Sequence, residues 1–154
     1  MVLGLPQGEA EALIALDTNV LLYAFDLDAR RHTEARGLVA RLAQGTHPWA
    51  VPWPCVLEFL KTATVSRVSG PTAVATAFAF LDLIFASPSV RRLLPTDDTP
   101  AVLRDVLDDS GVRGRDVHDA HIFALCLEHG VRELYTADKG FRRFRGLKVT
   151  DPFA

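Results

Sequence analysis

Asp17, Glu58, Asp119 and Asp138 each stand among apolar residues: Leu16 and Val20 around the first, Leu57 and Phe59 around the second, Ile122 and Phe123 beside the third, Tyr135 and Ala137 before the fourth. Acids scattered over a surface need no explanation, whereas four acids set into core-forming segments do. If they converge to about 4 Å, each like-charge pair costs on the order of 4 kcal/mol at an effective dielectric of about 20. Something positive must offset that repulsion, and these oxygen donors suit a hard divalent cation.

Each acid also has a plainer reading. Asp17, Thr18 and Asn19 are ordinary helix-capping and turn residues, and alone they read equally as a cap or as a catalytic site. Glu58 could be an exposed glutamate near a helix start, favoured by the dipole. Asp119 shares a helical stripe with Ile122, Phe123 and Cys126; with Asp116 three residues earlier it forms a capping-box spacing, so Asp116 is expected to cap and Asp119 to face a cleft. Asp138 could cap the short segment through Phe144. Beyond it Lys139, Arg142, Arg143, Arg145 and Lys148 make a cationic run interleaved with Phe141 and Phe144. Charge runs are commonly solvated faces, but cations beside an acidic metal site are what a phosphate-backbone substrate requires. His118 and His121 lack the intervening glutamate of a zinc-protease helix, and His118 is given no role. No glycine-rich phosphate loop or nucleophile elbow is present.

The acids need elements to position them, and strands alternate with helices along the chain. A short apolar run, Ala12 to Leu16, reads as a strand. Arg31 to Gln44 has helical spacing at Ala35, Leu38, Val39 and Leu42. Trp49 to Val51 is the next strand, and Pro52 and Pro54 launch a helix to about Val65. Gly70 and Pro71 break the chain before an Ala- and Phe-rich helix ending near Ser87. Arg91 to Leu94 reads as a strand, Thr99 to Ser110 and Val117 to Glu128 as helices, and Glu133 to Thr136 and Leu147 to Thr150 as the final strands. This alternation predicts a mostly parallel sheet between helical layers. In such sheets ligands bind beyond the carboxyl ends of the strands, where Asp17 and Asp138 both fall.

The 154 residues suffice for one domain, expected over residues 12–154, with residues 1–11 as a flexible tail. An apolar share of 49%, 23% charged residues and mean hydropathy of +0.14 exclude a disordered chain. A net charge of −2 means that any nucleic-acid affinity must come from a local basic patch. Cys55 and Cys126 sit in apolar stretches, as buried thiols do in a reducing compartment. Met1 to Glu11 lacks a signal-peptide pattern, and Ala73 to Ala86, which carries Asp82, is short of bilayer-spanning length. The expectation is a cytoplasmic protein with no membrane span.

Four segments, LDTNVLLYAF from Leu16, PWPCVLEFLKTAT from Pro52, VHDAHIFALCLEHG from Val117 and LYTADKGFRRF from Leu134, resemble PIN-domain ribonucleases, more closely the VapC toxins of type II toxin–antitoxin pairs. The resemblance runs from Ile14 to Pro152. It implies a three-layer α/β/α sandwich and a site in which Asp17, Glu58, Asp119 and Asp138 bind Mg2+ or Mn2+, supported by Thr18, Asn19, Thr136 and Asp116. Metal-activated water would cleave RNA to 5′-phosphate and 3′-hydroxyl ends, with Lys61, Arg115, Lys139, Arg142, Arg143 and Arg145 docking the RNA. A VapB-like antitoxin placing an arginine near the acids, and a homodimer through Ala35 to Leu42 or Val56 to Val65, are likewise implied. Gly140 departs from many relatives, which have a second acid there. Two rivals stand beside this reading: a catalytically inert PIN-fold interaction module, and an aspartate-nucleophile phosphatase, which usually needs an aspartate where this chain has Asn19.

Overall fold

The computed structural model describes residues 12–65 and 72–154, so the expected tail and the Gly70–Pro71 break lie outside the described residues. The elements are β1 (Leu13–Leu16), α1 (Thr18–Phe25), α2 (His32–Gln44), β2 (Trp49–Pro52), α3 (Trp53–Thr64), α4 (Val74–Phe85), β3 (Val90–Leu93), α5 (Thr99–Ser110), α6 (Val117–Glu128), β4 (Val131–Tyr135) and β5 (Lys148–Thr150). Short 3-10 turns at Gly114–Asp116 and Lys139–Arg143 lead into α6 and follow β4. The expected elements are present with ends shifted by a residue or two, and α5 and α6 have the bounds their periodicity predicts.

All four strand pairings are parallel, in the order β3-β2-β1-β4-β5. The sheet is flanked by helices: α1 packs on α2 and α3, α3 on α4, and α5 on α6. Trp49, Phe59, Phe123, Phe141 and Leu134 are fully buried between these layers. The central strands follow from composition, since β1 and β2 are short apolar runs without the polar alternation of a solvated face.

The strand order reverses between β1 and β4, and such a switch point opens a crevice at the carboxyl edge. Leu16 pairs with Tyr135, so Asp17 and Thr136 emerge side by side, and the Asp17 amide donates to the Tyr135 carbonyl at 3.0 Å. Helix α3 starts directly after β2 at this edge. Helix α6 runs back toward the start of β4, which puts its first turn there too. One edge thereby collects all four acids' parent elements.

Gly130 ends α6 with φ +74°, left-handed backbone that favours glycine. Gly130→Ala is expected to cost about 1–2 kcal/mol, a fall of several degrees in thermal midpoint for a chain of this size. An unchanged midpoint in a melting experiment would refute that account of the turn.

Candidate active site

Asp17 is 5% exposed and is the N-cap of α1 as well as the deepest acid of the site, so the cap and site readings hold together. Its Oδ1 accepts the Thr18 amide at 2.7 Å and the Cys55 thiol at 3.6 Å. Its Oδ2 accepts the Thr136 hydroxyl at 2.7 Å and the Asn19 amide at 3.1 Å. Asn19 also donates to Thr136 Oγ1 at 3.0 Å and accepts the Ala137 amide at 3.1 Å, stitching the turn after β1 to the turn after β4. Burial raises the Asp17 carboxyl from 3.8 to about 6, ahead of the opposing hydrogen bonds from Thr136 and Thr18, and the Glu58 charge adds to the rise. Cys55 and Cys126 are free, buried thiols, and burial followed by the Asp17 charge holds both above the usual thiol range.

Glu58 is half-buried on the second turn of α3, where its Oε2 accepts Thr18 Oγ1 at 3.3 Å and His118 Nε2 at 2.8 Å. Sequence reasoning allowed His118 a place along the cleft, where it is, but gave it no role. Its one available signal was adjacency to Asp119 in the first turn of α6, because its partner is 60 residues away. Glu58, Lys61, Arg115, Asp116, His118 and Asp119 line a cavity of about 550 Å³ with Leu57.

Asp119, with a side chain 26% exposed, is held by Arg143 Nη2 at 3.1 Å. Burial, then the Asp138 charge, raises its carboxyl above the usual range, while Arg143 and His118 oppose the rise. Asp116 does not cap α6 through its side chain: it closes the 3-10 turn in helical backbone and pairs instead with Arg143 Nη1 at 3.5 Å. A capping side chain needs extended backbone at its own position, which the preceding 3-10 turn denies it. Asp138 is exposed, and its Oδ1 accepts the Gly140 amide at 2.8 Å. A Cβ at position 140 would meet that same Oδ1 at 3.0 Å, so glycine lets the turn close around Asp138.

The acids therefore stand in two groups, Asp17 with Glu58, and Asp119 with Asp138 and Asp116. Among the described residues no three His, Cys, Asp or Glu side chains are close enough to hold a metal ion as they stand, and Arg143 supplies the positive charge in the second group. The donor chemistry nevertheless fits a hard dication: carboxylate oxygens supported by a hydroxyl and an amide, with burial and then the Glu58 charge holding the Asp17 carboxyl above its usual range. Of the expected RNA-docking residues, Lys61 and Arg115 line this cavity, Lys139 and Arg142 are exposed, Arg143 turns onto the acids, and Arg145 lines a separate cavity with Asp105, Asp109 and Phe144.

A parallel sheet with an acid-lined crevice at its switch point defines the class of domain, and the sequence matches the PIN domain family over residues 14–147. The chain belongs to the PIN domain family. Its curated relatives are VapC ribonucleases: Ribonuclease VapC43 of Mycobacterium tuberculosis is 36% identical over 141 residues, covering 91% of this chain and 95% of that protein. Ribonuclease VapC48 of the same organism is 32% identical over 139 residues, covering 90% and 96%. Among solved structures, Mycobacterium tuberculosis VapC20, described as a sarcin-ricin loop cleaving toxin, shares the fold with TM-score 0.63 at 22% identity, covering 88% of this chain and 98% of that one. VapBC2 from Rickettsia felis, bound to a promoter DNA fragment, gives TM-score 0.64 at 15% identity, covering 90% and 97%.

Proposed function

We propose that the protein is a divalent-metal-dependent endoribonuclease toxin of the VapC kind. The observation that carries this reading is Asp17: a buried carboxylate next to Glu58, which itself lines the cavity bordered by Lys61 and Arg115, is a poor structural element and a good ligand for a cation that brings a phosphate with it. Asp17, Glu58, Asp119 and Asp138 would hold Mg2+ or Mn2+, which when bound polarises the scissile phosphodiester and lowers the pKa of the attacking water. Asn19 and Thr136 fix the Asp17 carboxylate, and Thr18 and His118 orient Glu58. Lys61, Arg115, Lys139 and Arg142 take the RNA backbone, and Arg143 leaves the acids to join them as cation and substrate arrive. Sequencing of RNA ends after induced expression, against an Asp119→Asn control, tests the reading; matched profiles would overturn it.

The inert-module reading predicts no heat on Mn2+ titration, and the phosphatase reading lacks its second acid, because Asn19 is committed to Asp17 and Thr136. Arg143→Ala, by removing the resident cation from Asp116 and Asp119, is expected to tighten Mn2+ binding several-fold in calorimetry. Weaker binding in the variant would refute that competition.

A VapB-like antitoxin is the proposed regulator, with a basic side chain meeting the acids where Arg143 now stands. No described helix is long and apolar enough to cross a membrane, and we place the toxin in the cytoplasm with its RNA. For the proposed homodimer through Ala35 to Leu42 or Val56 to Val65, Ala35 and Val39 are buried within the subunit, while the rest of that α2 stretch is partly or fully exposed. Trp53, Leu57 and Val65 on or next to α3 and Val74, Phe78 and Leu83 on α4 are exposed apolar residues that a second copy would cover.

A further inference from the structure

We infer that the cavity of about 270 Å³ formed by Tyr23, Arg30, Arg31, Ala137, Asp151 and Phe153 is a nucleobase pocket that reads an unpaired guanine of the RNA substrate. This rests on the ribonuclease reading and extends it to a subsite next to the turn that carries Asp138. Three connections tie the cavity to the acids. Ala137 lines it and immediately precedes Asp138, and the Ala137 amide is held by Asn19. Tyr23 belongs to α1, the helix that Asp17 caps. Asp151 follows β5, whose last residue accepts the Thr136 amide at 3.0 Å through its carbonyl. An RNA strand held at Asp17 and Asp138 therefore has this cavity within reach through the turn that carries Ala137 and through the helix that carries Tyr23.

The lining has the parts that single-stranded RNA recognition uses: an aromatic platform, guanidinium groups for stacking or phosphate, and one edge-reading polar group. Tyr23 is braced edge-on by the buried Phe153, ring centroids 5.6 Å apart. His32 Nδ1 donates to the Tyr23 carbonyl at 2.9 Å, which fastens the connection carrying Arg30 and Arg31 to α1. Arg30 is exposed, and Arg31 is tethered to Glu34 at 3.0 Å. The Asp151 carboxylate is oriented by the Phe153 amide, which donates to its Oδ1 at 2.9 Å; among the described residues Oδ2 accepts no hydrogen bond. The pocket thus presents a fixed carboxylate beside an aromatic face, framed by cations.

A carboxylate accepts but cannot donate, and this selects the base. Guanine offers two adjacent N–H donors, N1–H and the 2-amino group, to the two carboxylate oxygens. Adenine and cytosine place an acceptor nitrogen beside their amino group, and uracil flanks its single N–H with carbonyls; each of these turns a lone pair toward Asp151. A deletion of one hydrogen-bonding group at a site built for it is strongly discriminating, because the unmatched polar group stays buried.

The test uses the full chain with EDTA, so that no cutting occurs, and fluorescein-labelled hexaribonucleotides: five uridines with one guanosine, the same with inosine in place of guanosine, and six uridines. Anisotropy is expected to show tenfold or tighter binding of the guanosine hexamer over hexauridine, with inosine, which lacks the 2-amino group, close to hexauridine. Asp151→Asn, which keeps an acceptor for the Phe153 amide, should erase the preference while binding hexauridine as the wild type does. Equal affinity for all three RNAs in the wild type, or a guanosine preference that survives Asp151→Asn, overturns the pocket. The inosine arm needs no variant and stands even if Asp151→Asn fails to fold. Cleavage in Mn2+ is scored separately: a wild type that binds guanosine selectively but cuts no RNA overturns the nuclease reading alone, and cutting without guanosine preference overturns the pocket alone.

Discussion

Asp119→Asn is expected to leave the fold intact and to lower RNA cleavage by about 10³-fold or more, since the several kcal/mol that metal-held charge stabilisation supplies translate into that factor. The fold should survive because the side chain is 26% exposed and asparagine still offers an oxygen to Arg143. The substitution also removes a charge that Asp138 and Asp116 repel, so the thermal midpoint without metal should hold or rise. This combination separates a catalytic acid from a structural one, whose loss would lower both quantities together. A well-folded variant that cuts at the wild-type rate would end the assignment of Asp119 to the site.

The second large effect is a pH-dependent stability that Mn2+ reverses. The folded-state carboxyl of Asp17 lies at about 6 against 3.8 in the unfolded chain, so the folded protein binds the extra proton. Stability from this group is therefore present below about 4, declines as pH rises, and above about 6 reaches a constant cost of about 3 kcal/mol. The raised Asp119 carboxyl acts in the same direction. A bound dication removes the cost by neutralising the carboxylates, and it must displace the Asp17 proton to do so. The Mn2+-induced rise in melting temperature should accordingly be small at pH 5 and grow through pH 6 to a plateau near 7. Melting curves in EDTA and in Mn2+ across that range decide it. An Asp17→Asn variant should flatten the pH slope; its midpoint is less informative, because its amide would face donors that the carboxylate accepts. A Mn2+ shift of equal size at pH 5 and pH 7.5 would show that Asp17 does not ligate.

The local features were legible because their causes are local. The apolar runs of β1 and β2 and the periodicities of α5 and α6 each depend on residues within a turn or two. The types of the four acids were equally plain, as was their placement after strands or in the first two turns of helices, and with the family pattern they pointed to a PIN domain. The resemblance named Asn19 and Thr136 only as supporting residues; that both donate to the same oxygen of Asp17 follows from the packing of the two turns.

What the tertiary structure alone decided was which groups meet. Thr136 and Asp17 are 119 residues apart and share a hydrogen bond because β4 lies next to β1, a strand order that no local propensity encodes. The same placement buries Asp17 while leaving Asp138 in solvent, turns Arg143 from a surface cation into the partner of Asp116 and Asp119, and brings His118 onto Glu58. It also gathers Tyr23, Asp151 and Phe153 into a cavity from opposite ends of the chain. Residue type and spacing set what each segment can become within a few residues; burial and charge pairing are fixed only when distant segments pack, because both depend on which neighbours exclude the water.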